Sequence, residues 1–216
     1  MNMQTVRDIA VVADGDFPLT EYPRWIVGAA DAVVCCDGAL VKYLEYSGGK
    51  APDAVVGDMD TLSEELKTQF RDIVTRYEEQ DYNDLAKALR YCLTTYPEVG
   101  RIHILGATGG QEDLTLGNYG LLMEFGRSHP DIAFEMVSDH TTAFPLYDSA
   151  VFDCGEGRTL SIFSPDPELR ISSQGLEWPL DEVCFDNWWK GIRNRSTADR
   201  VALKFSRPGL ALVILD

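Results

Sequence analysis

Residues 52–63 read PDAVVGDMDTLS, which sets two carboxylates, Asp58 and Asp60, two positions apart directly after a short apolar run. Ala54, Val55 and Val56 lie between Pro52 and Gly57, the pattern of a buried strand, so the acids are expected at its carboxyl end. Neighbouring carboxylates disfavour each other's ionised form unless a metal or a basic group intervenes. The pair is therefore a candidate for holding a divalent cation and, through it, a polyanion. The competing reading is a solvated turn, because Asp and Gly close many strands.

Other acids fall at comparable places. Asp14 and Asp16 close DIAVVADGD, Asp37 follows DAVVCC, and GATGGQED follows RIHIL. Asp84 sits in the first turn expected of NDLAKALRYCLTTY, with Asn83 as N-cap, Asp81 on nearly the same face and Lys87 one turn on. Gly106, Gly109 and Gly110 separate a strand from a helix, where backbone N–H groups can approach phosphate oxygens. Neither the P-loop nor the dinucleotide glycine pattern is present, and His103, His129 and His140 lack metal-ligand spacing.

Strand-like and helix-like runs alternate to about residue 140. Thr61 and Glu64 stand at capping-box spacing before a helical stretch toward Phe70, DIVTRY has the makings of a short strand, and Leu85, Ala88, Leu89 and Cys92 share one helix face. Such alternation predicts an α/β fold with a parallel sheet covered by helices on both faces, where ligands bind beyond the strand carboxyl ends. Beyond about Thr142 the helical period vanishes. AVFDCGEG, TLSIFSP, EVCFDNW, RVALKFS and LALVIL predict a small antiparallel sandwich.

Composition narrows the function classes. Lys and Arg total 19 against 35 Asp and Glu, a net charge of −16, which argues against a nucleic-acid or anionic-membrane partner. An anionic substrate would need a divalent metal. The 5 cysteines form no C-x-x-C pair, which fits a reducing cytoplasm, and neither a leader peptide nor a membrane span is expected.

The ordered segments DGAL (37–40), PDAVVGDMDTLS (52–63), EQDYNDLAKAL (79–89), GATGGQEDLTLGN (106–118), GLEWPL (175–180) and GIRN (191–194) resemble the thiamine pyrophosphokinases. These enzymes move a pyrophosphoryl group from ATP to the hydroxyl of thiamine and release AMP. The resemblance implies a Rossmann-like three-layer α/β catalytic domain over residues 1–141 that binds ATP. It also implies an antiparallel β-sandwich over residues 142–216 that binds thiamine and forms a homodimer. Joined to the acidic strand ends, it gives the expected site. Asp58, Asp60 and Asp84 are the catalytic set and hold Mg²⁺. Asp14, Gly15, Asp37, Gly38, Lys87, Gly106, Thr108, Gly109, Gly110, Asp113 and Asn118 contact ATP. Gln80, Asp81 and Asn194 contact thiamine. Trp188 and Trp189 are suited to stack on a cationic thiazolium or a flat pyrimidine, although adjacent tryptophans more often fill a core or a dimer contact; Trp189 is the one assigned to thiamine.

Some positions depart from the family pattern. Asn83 replaces Thr, Gln111 replaces Arg, Leu114 replaces His, and Arg193 and Arg195 flank Asn194 where Ser and an acid are common. Phosphate neutralisation then falls to Lys87, Lys42 or metal. Two other functions share these motifs: a different Mg²⁺-dependent kinase or nucleotidyltransferase of the same fold, and a non-catalytic nucleotide-binding regulator.

Overall fold

The computed structural model describes residues 7–79 and 81–216. They form two compact units, the first comprising residues up to Leu121 with Pro130–Asp139, the second Leu122–His129 with His140–Asp216.

In the first unit, β1 (Asp8–Val12), β2 (Ala32–Cys36), β3 (Ala54–Gly57), β4 (Val74–Arg76), β5 (Arg101–Leu105) and β6 (Ala133–Val137) are the six expected strands. They alternate with α1 (Glu21–Ala29), α2 (Ala39–Ser47), α3 (Glu64–Gln69), α4 (Asp84–Thr95) and α5 (Glu112–Ser128), whose last turns belong to the second unit. Every strand pair is parallel, in the order β6-β5-β1-β2-β3-β4. Successive residues of a strand face opposite sides of the sheet, so the unbroken burial of β2 and β3 means that both faces are covered. The chain winds from β1 outward to β4 and then returns to β5 beside β1. The order therefore reverses between β1 and β5, and that reversal opens a crevice at their carboxyl ends.

Local chemistry explains the helices, including two departures from the sequence reading. Ser63, not Thr61, caps α3, its hydroxyl accepting from the Leu66 N–H at 3.3 Å; Thr61 is drawn into the acidic turn instead. Helix α1 carries Pro23 in its first turn, where a missing N–H costs nothing, and this proline hides the helix from a periodicity search. Its entry is held by Asp139, which accepts from the Leu19 and Thr20 N–H groups at 2.8 and 2.7 Å. Asn83 caps α4 as expected, accepting from the Ala86 N–H at 2.9 Å.

The second unit is built of β7 (Thr142–Leu146), β8 (Ala150–Asp153), β9 (Thr159–Phe163), β10 (Arg170–Gln174), β11 (Val183–Cys184), β12 (Asn194–Arg195), β13 (Arg200–Phe205) and β14 (Ala211–Leu215). Antiparallel pairing gives the orders β12-β9-β14-β7 and β11-β10-β13-β8. Leu160, Ile162, Val213 and Leu215 from one sheet share a core with Ile171, Val201, Leu203 and Phe205 from the other. This is the expected sandwich. Strands β7 and β10 escaped the sequence reading because Pro145 interrupts one and Ser172 and Ser173 dilute the other.

The Asn83 cap supports a helix that carries site residues, and its amide also donates to Asn118 Oδ1 at 3.4 Å. Asn83→Ala is expected to lower stability by about 1 kcal/mol in denaturant titration, the ordinary cost of a lost N-cap.

Candidate active site

The strand ends deliver their acids to one place. Asp37 follows β2, and its backbone N–H extends the sheet ladder by donating to the Val56 carbonyl at 3.0 Å. Asp58 and Asp60 follow β3, and Asp84 opens α4. Carboxylate oxygens of Asp37, Asp58 and Asp60 all lie within 4.8 Å of one another. This crowding requires Gly57, because a Cβ there would stand 2.7 Å from the Asp37 Cβ and 3.2 Å from Asp84 Oδ1.

Asp37 is wholly buried. Its Oδ2 accepts the Thr61 N–H at 3.2 Å, while its buried Oδ1 has no hydrogen-bond partner among the described residues. Burial pushes the carboxyl pKa up, the Thr61 N–H opposes this, and the charges of Asp84, Asp60 and Asp58 add to the rise. An orphaned buried carboxylate oxygen beside two further carboxylates is the donor set a hard divalent cation takes, so the residues fit such an ion.

Between the two acids that follow β3 stands Met59, with φ at +68° and only 4% of its surface exposed. A left-handed backbone costs a non-glycine residue about 1–2 kcal/mol. Burying a methionine side chain returns about 1.5–3 kcal/mol, so anchorage outweighs strain here. The Met59 side chain packs in a cluster with Leu40, Val55, Leu62 and Phe70. Above it the Asp60 N–H donates to Asp58 Oδ1 at 3.2 Å, and the Thr61 hydroxyl donates to Asp60 Oδ1 at 3.0 Å.

Both lysines left for phosphate neutralisation are already engaged. Lys87 is buried, 2% exposed, with Nζ 3.1 Å from Asp84 Oδ1 and 3.6 Å from Asp58 Oδ2. Burial alone would lower its pKa; the hydrogen bond to Asp84 and the charges of Asp84 and Asp58 outweigh it, and the net direction is up. Lys87 thus stays cationic and balances the acids beneath the cleft. Lys42 Nζ lies 2.8 Å from Asp14 Oδ1 and donates to the Asp14 and Gly15 carbonyls at 2.7 and 2.8 Å.

The crevice between β1 and β5 is a cleft of about 410 Å³ lined by Asp14, Gly15, Gly38, Asn83, Asp84, Gly109, Gly110 and Asn118, among others. Its two glycine-bearing loops are stitched together by the Gly15 N–H to the Gly106 carbonyl at 2.6 Å and the Asp16 N–H to the Thr108 carbonyl at 2.9 Å. Gly106, Gly109 and Gly110 all have positive φ. Asn118 fixes the second loop by donating to the Ala107 carbonyl at 2.9 Å. Cys36 also lines the cleft, and burial, reinforced by Asp84, holds its thiol pKa well above the ordinary value.

Asp113 is exposed and accepts the Leu114 N–H at 2.9 Å. Asp81 is exposed, and Gln80 falls outside the described residues. In the second unit Trp189 is 66% exposed, and the Asn194 amide clamps the Trp178 backbone, donating to its carbonyl at 2.7 Å and accepting its N–H at 3.2 Å. Sequence reasoning missed Met59, whose left-handed turn has no compositional signal, and the cleft-lining Leu85, which reads as an ordinary buried helix residue; Leu114, noted for replacing a family His, does line the cleft.

Fold and cleft define a mixed α/β enzyme with its polar centre at the carboxyl edge of a parallel sheet. A family model described as "Thiamin pyrophosphokinase, catalytic domain" matches residues 24–134, and one described as "Thiamin pyrophosphokinase, substrate-binding domain" matches residues 142–213. The chain belongs to the thiamin pyrophosphokinase family. Thiamin pyrophosphokinase 1 of Caenorhabditis elegans is 28% identical over 184 residues, covering 80% of this chain and 74% of the relative. The fold is shared with a thiamine pyrophosphokinase structure from Bacillus subtilis, with a TM-score of 0.77 at 21% identity, covering 97% of this chain and 99% of that one. The yeast thiamin pyrophosphokinase structure gives a TM-score of 0.78 at 13% identity, covering 100% and 88%.

The raised Asp37 pKa has a definite sign for stability. Folding favours the protonated acid, so its contribution is complete below the unfolded value of 3.8 and is lost as pH rises through the folded value. Asp37→Asn should therefore raise the thermal midpoint of the metal-free protein at pH 7, by about 2–4 °C for each 1 kcal/mol of strain relieved. The gain should shrink as pH falls from neutrality through the folded value and be gone below 3.8.

Proposed function

We propose that the chain transfers pyrophosphate from ATP to the hydroxyl of thiamine, giving thiamine diphosphate and AMP, with Mg²⁺ as the metal. Family membership supports the reaction class. The observation that carries the metal is the buried, unpartnered Asp37 Oδ1 beside Asp58 and Asp60. With Lys87 and Lys42 both engaged, a polyanion approaching the acids needs a cation between them. Asp37, Asp58 and Asp60 would hold the ion, and Asp84 stands next to them, paired with Lys87. Bound there, the ion would offset charge on the phosphates during transfer.

The chain's own residues supply position. The loops of Asp14–Gly15 and Gly106–Gly110 frame the triphosphate side of the cleft, with Gly38, Thr108, Asp113 and Asn118 in supporting places. Lys87, with Nζ 3.1 Å from Asp84 Oδ1 and 3.6 Å from Asp58 Oδ2, holds these two carboxylates in place as their counter-ion. The reading assigns residues 1–141 to ATP binding and catalysis and 142–216 to thiamine binding and dimerisation. Two copies assemble, and thiamine is taken up by Gln80 and Asp81 of one copy with Trp189 and Asn194 of the other. The exposed indole of Trp189 supports its part in this, since aromatic faces attract a thiazolium cation.

Incubation with ATP and thiamine should yield AMP and thiamine diphosphate in equal amounts; ADP as the product would replace this reading by an ordinary kinase. Asp58→Asn should lower kcat by about 100-fold or more with an unchanged circular dichroism spectrum. Near-normal turnover in that variant would remove the metal assignment. Trp189→Ala should raise the KM for thiamine by about tenfold and leave that for ATP nearly unchanged, and equal shifts in both would sink the stacking role.

A further inference from the structure

We infer that Met59 is a positioning residue that sets the metal-binding turn before any ion arrives. The inference rests on the reading of Asp37, Asp58 and Asp60 as a divalent site.

Among the described residues only Met59, Glu182 and Arg193 are non-glycines with positive φ, and of these only Met59 is buried. A long, unbranched side chain is a poor choice for a left-handed turn unless the side chain itself is what holds the turn. Its partners come from three directions: Val55 from β3, Leu40 from α2, and Leu62 and Phe70 from the segment that carries α3. The anchor thus ties the turn to elements on either side of it. With Met59 pinned into the apolar cluster, the flanking acids are left beside Asp37. Asp58 and Asp60 then share a hydrogen bond, 3.2 Å from the Asp60 N–H to Asp58 Oδ1, and Thr61 reaches Asp37 Oδ2, also at 3.2 Å. One apolar contact therefore fixes three carboxylates relative to one another. Mutual repulsion would otherwise spread them, and each ion bound would first have to collect its own ligands. Glycine would suit the backbone better and do the job worse, because it accepts the φ but supplies no anchor.

The test compares Met59→Leu, Met59→Gly and Met59→Asn, with Mn²⁺ binding to the nucleotide-free protein read by electron paramagnetic resonance of the free ion. Leucine keeps an unbranched-Cβ apolar anchor and should bind Mn²⁺ within about threefold of the parent. Glycine and asparagine tolerate the left-handed backbone but lose the anchor, and should bind at least about tenfold more weakly. The Mg²⁺ concentration for half-maximal rate should shift in parallel, with kcat at saturating Mg²⁺ changing less. A folded glycine or asparagine variant with parental Mn²⁺ affinity overturns the inference, as does a leucine variant as weak as glycine. A second measurement needs no variant. The Asp60 and Thr61 amides of the parent protein should be protected from hydrogen exchange without divalent ion, and protection that develops only on adding Mn²⁺ overturns the inference even if the variants fail to fold. A parent protein that binds no Mn²⁺ at all defeats the underlying metal site instead, so the two failures are distinguishable.

Discussion

Repulsion among carboxylates brought to the end of a parallel sheet is the constraint around which the first unit is arranged. Asp37, Asp58, Asp60 and Asp84 outnumber the Lys87 ammonium that lies beneath them, and Asp37 is buried with one oxygen unpaired. Such an arrangement opposes folding unless the surrounding structure over-determines it. Gly57 removes the Cβ that would keep the strands' acids apart, the Thr61 N–H accepts the task of partnering Asp37, and the Met59 anchor holds the turn. Under the proposed metal reading, relief of this repulsion would add to the affinity for a cation.

Topology explains why the acids meet there. Strand order reverses between β1 and β5, so the loops after those two strands diverge and leave a cleft, while β2 and β3 end beside it. Hydrogen bonds between the Gly15 and Gly106 region keep the two glycine loops in register although they are separated by about ninety residues of chain. The Asn83 and Asn118 pair then links the start of α4 to the second turn of α5 across the same opening.

Much of this was legible in the residues. The β-branched runs ending in Asp37 and Asp58 located the strand ends, because a fully buried parallel strand reads as continuous apolar sequence. Asn83 declared the start of α4 by cap chemistry. The parts that were not legible are those decided by tertiary contact. Lys87 looks like a phosphate-binding residue by type, yet it is buried as the counter-ion of Asp84 and Asp58. Thr61 has capping-box spacing, yet Ser63 takes the cap since the acidic turn recruits Thr61. The conformation of Met59 depends on Leu40 and Phe70, far from it in sequence, so no local pattern announces it.

The thiol of Cys36 lies against the cleft, which at first sight marks it for covalent capture by electrophilic inhibitors. Burial and the neighbouring Asp84 charge keep it protonated, and the nucleophile in alkylation is the thiolate. Reactive compounds directed at this cleft would spend themselves on water before Cys36, so reversible ligands that present an oxyanion-bound metal ion to the aspartates are the better chemical starting point.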